Sequence, residues 1–367
     1  MRFLVLLILT AAALGVSPAT AGDPPATLDS VSQQVADLTK LVESYRHRVD
    51  ALEKKIDDGL WFDRLGDVAV IDKVRLFGPP RWKEESDTAI GAGNPVKFWA
   101  YVFLPRQHNR SGKLPLLVFP HGGVHSDFST YYVHIVREMM AQGYAVIAPE
   151  YRGSTGYGRT VFENIDYGGR EVEDNHACRQ YMLDNYDFID GKRVGMIGWS
   201  HGGLISLMNI FDHPDDYACA YAGVPVSDLI ARMGYLDDDY RALYSAQFHI
   251  GEPVIDNIEE YKRRSPVWNA GKLQTPLLIH TNTNDEDVNW LEVEHLIQAL
   301  KAEGKDFEYE IFEDFPGGHS FDRLDGKEAK EIRVKIYKFL ARYLKPAQPI
   351  TSFEALHRAG YVMPDGR

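Results

Sequence analysis

Two hydrophobic rhythms divide this chain. From Leu28 to Ile56 the apolar residues fall three and four apart, at Leu28, Val31, Val35, Leu38, Val42, Tyr45, Val49, Leu52 and Ile56. These make four heptads, with a positions at Leu28, Val35, Val42, Val49 and Ile56 and d positions at Val31, Leu38, Tyr45 and Leu52. The pattern predicts a helix that stops at Gly59. Two positions in seven is a narrow stripe for a helix lying on its own domain, and suits a coiled-coil seam. β-Branched a positions, with Arg48 at g facing Glu53 at e′, favour a parallel two-stranded coil. A homodimer through residues 28–56 is therefore expected, with a single amphipathic helix as the alternative.

Beyond Trp61 the rhythm changes to short apolar runs separated by helical stretches. Strands are predicted at 68–76 and 96–104, the second with the alternation Lys97-Phe98-Trp99-Ala100-Tyr101-Val102-Phe103 of a half-buried antiparallel strand. Continuous apolar runs, as in central parallel strands, follow at 114–120, 144–149, 193–197, 217–223, 276–280 and 307–312. Between them lie helical patterns at 131–142, 169–185, from 204, at 291–303 and at 327–343, and an irregular section at 227–270. Strands alternating with helices predict an α/β domain over 61–346, a doubly wound, mostly parallel sheet with helices on both faces. The tail, 347–367, shows no pattern of its own.

The first residues form a separate unit. Arg2, the apolar run Phe3–Leu9 and the small-residue ending Ala19-Thr20-Ala21 have the parts of a secretory signal peptide. Residues 1–21 are therefore excluded from the fold, and an exported protein, periplasmic or secreted, is expected to begin near Gly22. The run is too short for a transmembrane helix. Composition narrows the partners further: with 40 basic and 53 acidic residues the net charge is −13, which disfavours nucleic acid and anionic membrane surfaces. Two cysteines, Cys178 and Cys219, make neither a disulfide framework nor a metal site, and buried thiols are expected.

The chemistry gathers around Gly198-Trp199-Ser200-His201-Gly202-Gly203. A G-x-S-x-G between a buried strand and a buried helix is the nucleophile elbow of an α/β-hydrolase. The turn exposes the serine hydroxyl and aims the next amide, that of His201, at a developing oxyanion. His121-Gly122-Gly123, at the end of an earlier strand, stands where the second oxyanion donor arises in that architecture. Catalytic groups gather at the carboxyl ends of the strands. There the chain offers Asp285 and Asp287 after the 276–280 strand, then His319 after the last one. The order Ser, acid, His is that of the α/β-hydrolases, with Asp285 and Asp287 both open as the acid. His280, inside a strand end, reads as core. A calcium loop is disfavoured because Trp290 occupies its glycine position and Leu296 its closing glutamate position. No H-E-x-x-H or C-x-x-C motif is present, and no cofactor or metal is expected. Tyr235, Tyr240, Tyr244 and Phe248, in the irregular section, are candidate walls of a substrate pocket.

From about residue 114 to 344 the chain resembles the catalytic domain of the prolyl oligopeptidase family, near its acylaminoacyl-peptidase and dipeptidyl-peptidase branches. The resemblance rests on six stretches. They are His121-Gly122-Gly123, Tyr151-Arg152-Gly153-Ser154-Thr155-Gly156-Tyr157-Gly158, Gly168-Gly169-Arg170-Glu171-Val172-Glu173-Asp174, the elbow, Tyr261 with Ser265-Pro266, and Gly317-Gly318-His319-Ser320-Phe321. It implies a serine hydrolase acting on short peptides or acyl-peptides, with Ser200 and His319 carried over directly. The family's acid precedes x-x-Val; with one inserted residue, Asp285-Glu286-Asp287-Val288 matches that pattern and Asp285 becomes the acid. Thr281 stands where the family has a glycine. Most peptidases of the family carry a β-propeller before this domain, whereas only about forty residues separate the leader from Trp61, so none is expected here. A carboxylesterase with the same triad is the alternative, and an idle coiled-coil scaffold a remote one. The heptad helices of a dimer would overhang the site and limit substrate size.

Overall fold

A computed structural model describes residues 27–84, 86–108 and 112–360. The leader lies outside them. The chain divides between Arg46 and His47 into two compact units. The boundary falls within one continuous helix, α1 (Leu28–Leu65), and the second unit holds all the other elements. Among the described residues no helix is long and apolar enough to cross a membrane.

The helix does not stop at Gly59. An interior glycine costs about 1 kcal/mol, while the next two turns bury Trp61 and Leu65 completely, each large apolar side chain contributing about 1.5–3 kcal/mol. Trp61 stacks on Phe128 with ring centroids 5.6 Å apart and packs against Tyr101 and Phe103. The end comes at Gly66, whose amide donates to Phe62 O at 3.0 Å. In heptad terms the buried residues Lys54, Trp61 and Leu65 occupy f, f and c, whereas Val49, Leu52 and Ile56, at a and d, stay exposed. The second half of α1 thus lies on its domain by one face and leaves its apolar stripe uncovered on another.

The remaining elements are β1 (Ala69–Pro80), β2 (Pro95–Pro105), β3 (Leu114–Val118), α2 (Val133–Gln142), β4 (Ala145–Glu150), the single turn α3 (Arg159–Phe162), α4 (Arg170–Asn185), β5 (Ile189–Trp199), α5 (His201–Asp212) and β6 (Cys219–Gly223). Then follow α6 (Leu229–Tyr235), α7 (Asp238–Ser245), α8 (Ile258–Arg263), β7 (Leu277–Asn282), α9 (Trp290–Ala302), β8 (Glu308–Phe312), α10 (Lys327–Leu344) and α11 (Phe353–Ala359). The eight strands form one sheet in the order β1-β2-β4-β3-β5-β6-β7-β8. β1 pairs with β2, and β2 with β4, in antiparallel fashion; every later pair is parallel.

Both faces of the central strands are covered, which is why they read as unbroken apolar runs. One face packs on Val172 and Met182 of α4, Leu204 and Leu207 of α5 and Leu296 of α9. The other packs on Trp61 of α1, Val136 and Met139 of α2 and Ile336 and Leu340 of α10. This is the α/β-hydrolase type of fold that the alternation predicts. The chain leaves β3 for β4 on one side and returns to β5 on the other. The sheet's switch point therefore lies between the carboxyl ends of β3 and β5. The tail carries more structure than its pattern suggests: Ile350 and Leu356 are buried, and the Ile350 amide donates to Gln142 Oε1 at 3.2 Å. Cys178 and Cys219 are both free and buried, and burial pushes both thiols up.

Candidate active site

Ser200 is the N-cap of α5, directly after β5, with φ 57° and ψ −124°. A non-glycine residue in the left-handed half of backbone space is strained, and such strain concentrates at functional sites. The turn survives because its neighbours are small: a Cβ on Gly202 would lie 2.4 Å from Pro120 O, and one on Gly198 would lie 2.2 Å from Gly202 O. The elbow is also held from below. Asp322, fully buried, accepts from Trp199 Nε1 at 2.6 Å and from Tyr221 Oη at 2.7 Å.

His319 sits on the single turn Gly318–Ser320 after β8. Its Nδ1 lies 2.8 and 2.9 Å from the two carboxylate oxygens of Asp285, whose side chain is buried. Asp285 Oδ1 also accepts the amides of Asp287 and Val288, each at 2.9 Å. A carboxylate so held is fixed in both position and direction. The histidine loop is fixed from two sides. Glu286 Oε2 accepts the His319 amide at 2.9 Å, and Asn282 Nδ2 donates to Phe315 O at 2.9 Å and to Gly318 O at 3.2 Å. Arg323 donates to His319 O. Nδ1 is therefore committed to Asp285, which leaves Nε2 for other work. No hydrogen bond joins Ser200 to His319 among the described residues; without substrate such contacts are commonly long.

Of the two acids, the structure brings Asp285 to Nδ1. Asp287 is half exposed, with Oδ2 3.8 Å from His319 Nε2. Its other oxygen accepts from Arg232 Nη2 at 2.9 Å.

The segment 121–123 lies against the elbow: a Cβ on Gly122 would be 3.3 Å from Ser200 Cβ. The His121 ring itself is taken up by other partners. It stacks on Tyr151, centroids 4.2 Å apart, and burial pushes it down to about 3, so it is neutral. Nδ1 donates to Gly122 O and Nε2 accepts from Ser154 Oγ, both at 2.9 Å. The ring of His201 is similarly occupied, 3.0 Å from Gly123 O and 3.1 Å from Glu171 Oε1, and stacked on Tyr167. For both histidines it is the backbone that faces the elbow.

The pocket candidates separate. The hydroxyl oxygens of Tyr235 and Tyr240 accept from Arg232, each at 2.8 Å, and Tyr235 donates to Glu292 Oε2 at 2.6 Å. Phe248 is exposed on the segment between α7 and α8. Tyr244 corrects the expectation. It is completely buried among Tyr167, Tyr240, His249 and Tyr261, a core position fixed by aromatic packing. His280 is core as expected, and burial pushes it down to about 3. The roles of Glu286 and Asp322, and the link from Arg232 to Asp287, had no local signal, because His319, Trp199, Tyr221 and Asp287 are each more than thirty residues from the partner they meet.

Two of the motif stretches have structural work. Arg152 donates to both oxygens of buried Asp174, at 2.7 and 2.8 Å. Glu171 accepts the amides of Gly168 and Gly169 besides facing His201.

Residues 130–347, well over half the chain, match the family model described as the prolyl oligopeptidase family. The chain belongs to the prolyl oligopeptidase family. Mouse acylamino-acid-releasing enzyme is 29% identical over 234 residues, which are 62% of this chain and 31% of the relative. Dipeptidyl aminopeptidase BIII of Pseudoxanthomonas mexicana is 28% identical over 261 residues, 68% of this chain and 37% of the relative. A puromycin-hydrolyzing peptidase from Mycobacterium tuberculosis superposes with a TM-score of 0.61 at 27% identity, covering 75% of this chain and 40% of that one. The chain thus spans about a third of the length of these curated relatives.

Proposed function

We propose that this member of the family is a serine peptidase that cleaves short peptides or acyl-peptides through an acyl-enzyme on Ser200. One observation carries the reading. A strained serine at the strand–helix junction shares the sheet's carboxyl edge with a histidine whose Nδ1 is gripped by a buried carboxylate. In this reading Ser200 Oγ attacks the scissile carbonyl as His319 Nε2 takes its proton. Asp285 keeps the imidazole in the required tautomer and stabilises its charged form. The oxyanion accepts from the His201 amide and from the 121–123 segment. Collapse breaks the C–N bond, and His319 returns the proton to the leaving amine. Water then repeats the cycle on the acyl-enzyme. The peptide preference is supported by the names of relatives such as acylamino-acid-releasing enzyme and dipeptidyl aminopeptidase BIII.

The test is a paired assay of p-nitrophenyl esters against aminoacyl and dipeptidyl p-nitroanilides, with Ser200→Ala as the blank. Serine-dependent anilide cleavage is expected. Ester turnover with no amide cleavage across the panel would replace the peptidase by a carboxylesterase, and activity on neither would leave a scaffold.

Two further parts of the reading concern assembly and address. The uncovered stripe, with Val35, Val42, Leu52 and Ile56 each more than half exposed, supports a homodimer through residues 28–56. The leader composition supports export.

A further inference from the structure

We propose that Glu173, His176 and His213 form a binding site for a divalent transition-metal ion of the zinc class, separate from the Ser200 site. Glu173 and His176 are three apart on α4 and so share a face of that helix. His213 follows the last residue of α5 and reaches the same point. One donor atom from each of the three lies within 4.8 Å of the other two. The two imidazoles stack with centroids 3.8 Å apart and planes 9° from parallel. Glu173 Oε1 is 3.2 Å from His213 Nε2, and Asp216 Oδ2 is 2.7 Å from His176 Nε2. Arg179 holds the other oxygen of Asp216 at 2.8 Å, which fixes this second carboxylate beside the histidine.

Two imidazoles with one carboxylate are a ligand set for zinc and its neighbours, whereas calcium and magnesium take oxygen almost alone. Donors around zinc stand about 3.3 Å apart, given bonds of about 2.0–2.1 Å. The side chains need a modest swing to reach that spacing. All three are partly exposed, so water can complete the coordination. Binding requires both rings neutral at the donor nitrogen, and the ion replaces the proton that now bridges each ring to its carboxylate.

The position defines what the ion would do. Ser200 caps one end of α5 and His213 the other, about 20 Å apart along the helix at 1.5 Å per residue. An ion there ties α4 to the far end of the nucleophile helix. It stabilises the fold by binding the native state alone, and touches no reacting atom.

The test titrates zinc chloride into untagged, chelator-stripped protein by calorimetry, with magnesium and calcium chloride in parallel. One zinc per chain is expected, with no saturable binding of magnesium or calcium, and with a melting temperature that rises as zinc is added. His176→Ala, His213→Ala and the isosteric Glu173→Gln should each weaken binding more than about tenfold; circular dichroism checks that they fold. His319→Ala should bind zinc as wild type does. The proposal is overturned if wild type shows no saturable zinc binding, or if the His176/His213 double variant keeps it. Loss of zinc in His319→Ala alone would put the ion at the triad and overturn it equally.

Discussion

Lys54→Met tests how the N-terminal helix supports the site. Lys54 is 4% exposed, and its Nζ lies 2.5 Å from Glu150 Oε1, 2.7 Å from Asp127 Oδ2 and 2.8 Å from Phe128 O. Glu150 is completely buried, and burial pushes it up to about 7 even beside the ammonium. Its other oxygen accepts the Phe128 amide at 3.1 Å and lies 3.8 Å from His121 Nε2. Methionine nearly keeps the volume and removes the charge, leaving Glu150 buried without a counter-ion. Breaking a buried pair from one side costs about 3–5 kcal/mol. The sign of the pH dependence follows. A carboxyl raised above its unfolded value stabilises most below that value and loses the contribution as pH climbs through the folded one. Without Lys54 the folded value rises further, so the deficit should grow between pH 5.5 and 8, mostly above 7 and by at most roughly 1.4 kcal/mol. Urea denaturation at both pH values measures it. Lys54→Met/Glu150→Gln should regain most of the loss, since neither charge is then buried. A deficit below about 1 kcal/mol at pH 8, or one that does not change with pH, would refute the reasoning.

Asp285→Asn should lower kcat by about 10⁴-fold by favouring the wrong imidazole tautomer. Asp287→Asn, which changes a half-exposed group, should cost less than about tenfold; the reverse ranking in steady-state kinetics would exchange the two roles. His280 is held neutral by burial, with a folded value of about 3 against 6.5 unfolded. A depressed value means stability that is present above pH 6.5 and lost as pH falls. Relative to His280→Leu, wild type should therefore lose about 2 kcal/mol between pH 7.5 and 5 in denaturant titrations; parallel curves would contradict it.

Sequence legibility tracked how local each decision was. The parallel strands were visible because two covered faces demand continuous apolar runs. The elbow was visible because a serine at φ 57° between Gly198 and Gly202 leaves little choice of neighbours. Asp285 needed a family comparison, since Asp285 and Asp287 differ only in which of them the His319 loop reaches. Tyr244 reads like Tyr240 in sequence, yet Tyr167, Tyr261 and His249 close over one and Arg232 takes the other. No local pattern carries that difference.

The helix α1 shows the same limit and sharpens a test. Heptad counting sees only the a and d stripe, and places Lys54 and Trp61 at f, the position most remote from a coiled-coil partner. Those are the residues that enter the second unit, joined by Asp57, which accepts Thr130 N at 3.0 Å, and Asp58, which takes Lys73 Nζ at 2.7 Å. Deleting residues 22–58 to probe the proposed coil would therefore remove Lys54, Asp57 and Asp58, with their contacts to Glu150, Thr130 and Lys73, along with the stripe. Deleting 22–46 keeps every one of these contacts and removes the first two and a half heptads. The shorter deletion should keep a cooperative melt and sediment as a monomer, where the chain from residue 22 is expected to sediment as a dimer. The longer one should melt well below it, since a buried Glu150 is again left unpaired. Kinetics of the shorter deletion on small and large peptides then report whether paired helices limit access. Dimers that survive the deletion would move the interface off the stripe, and unchanged size selectivity would leave the helices no part in it.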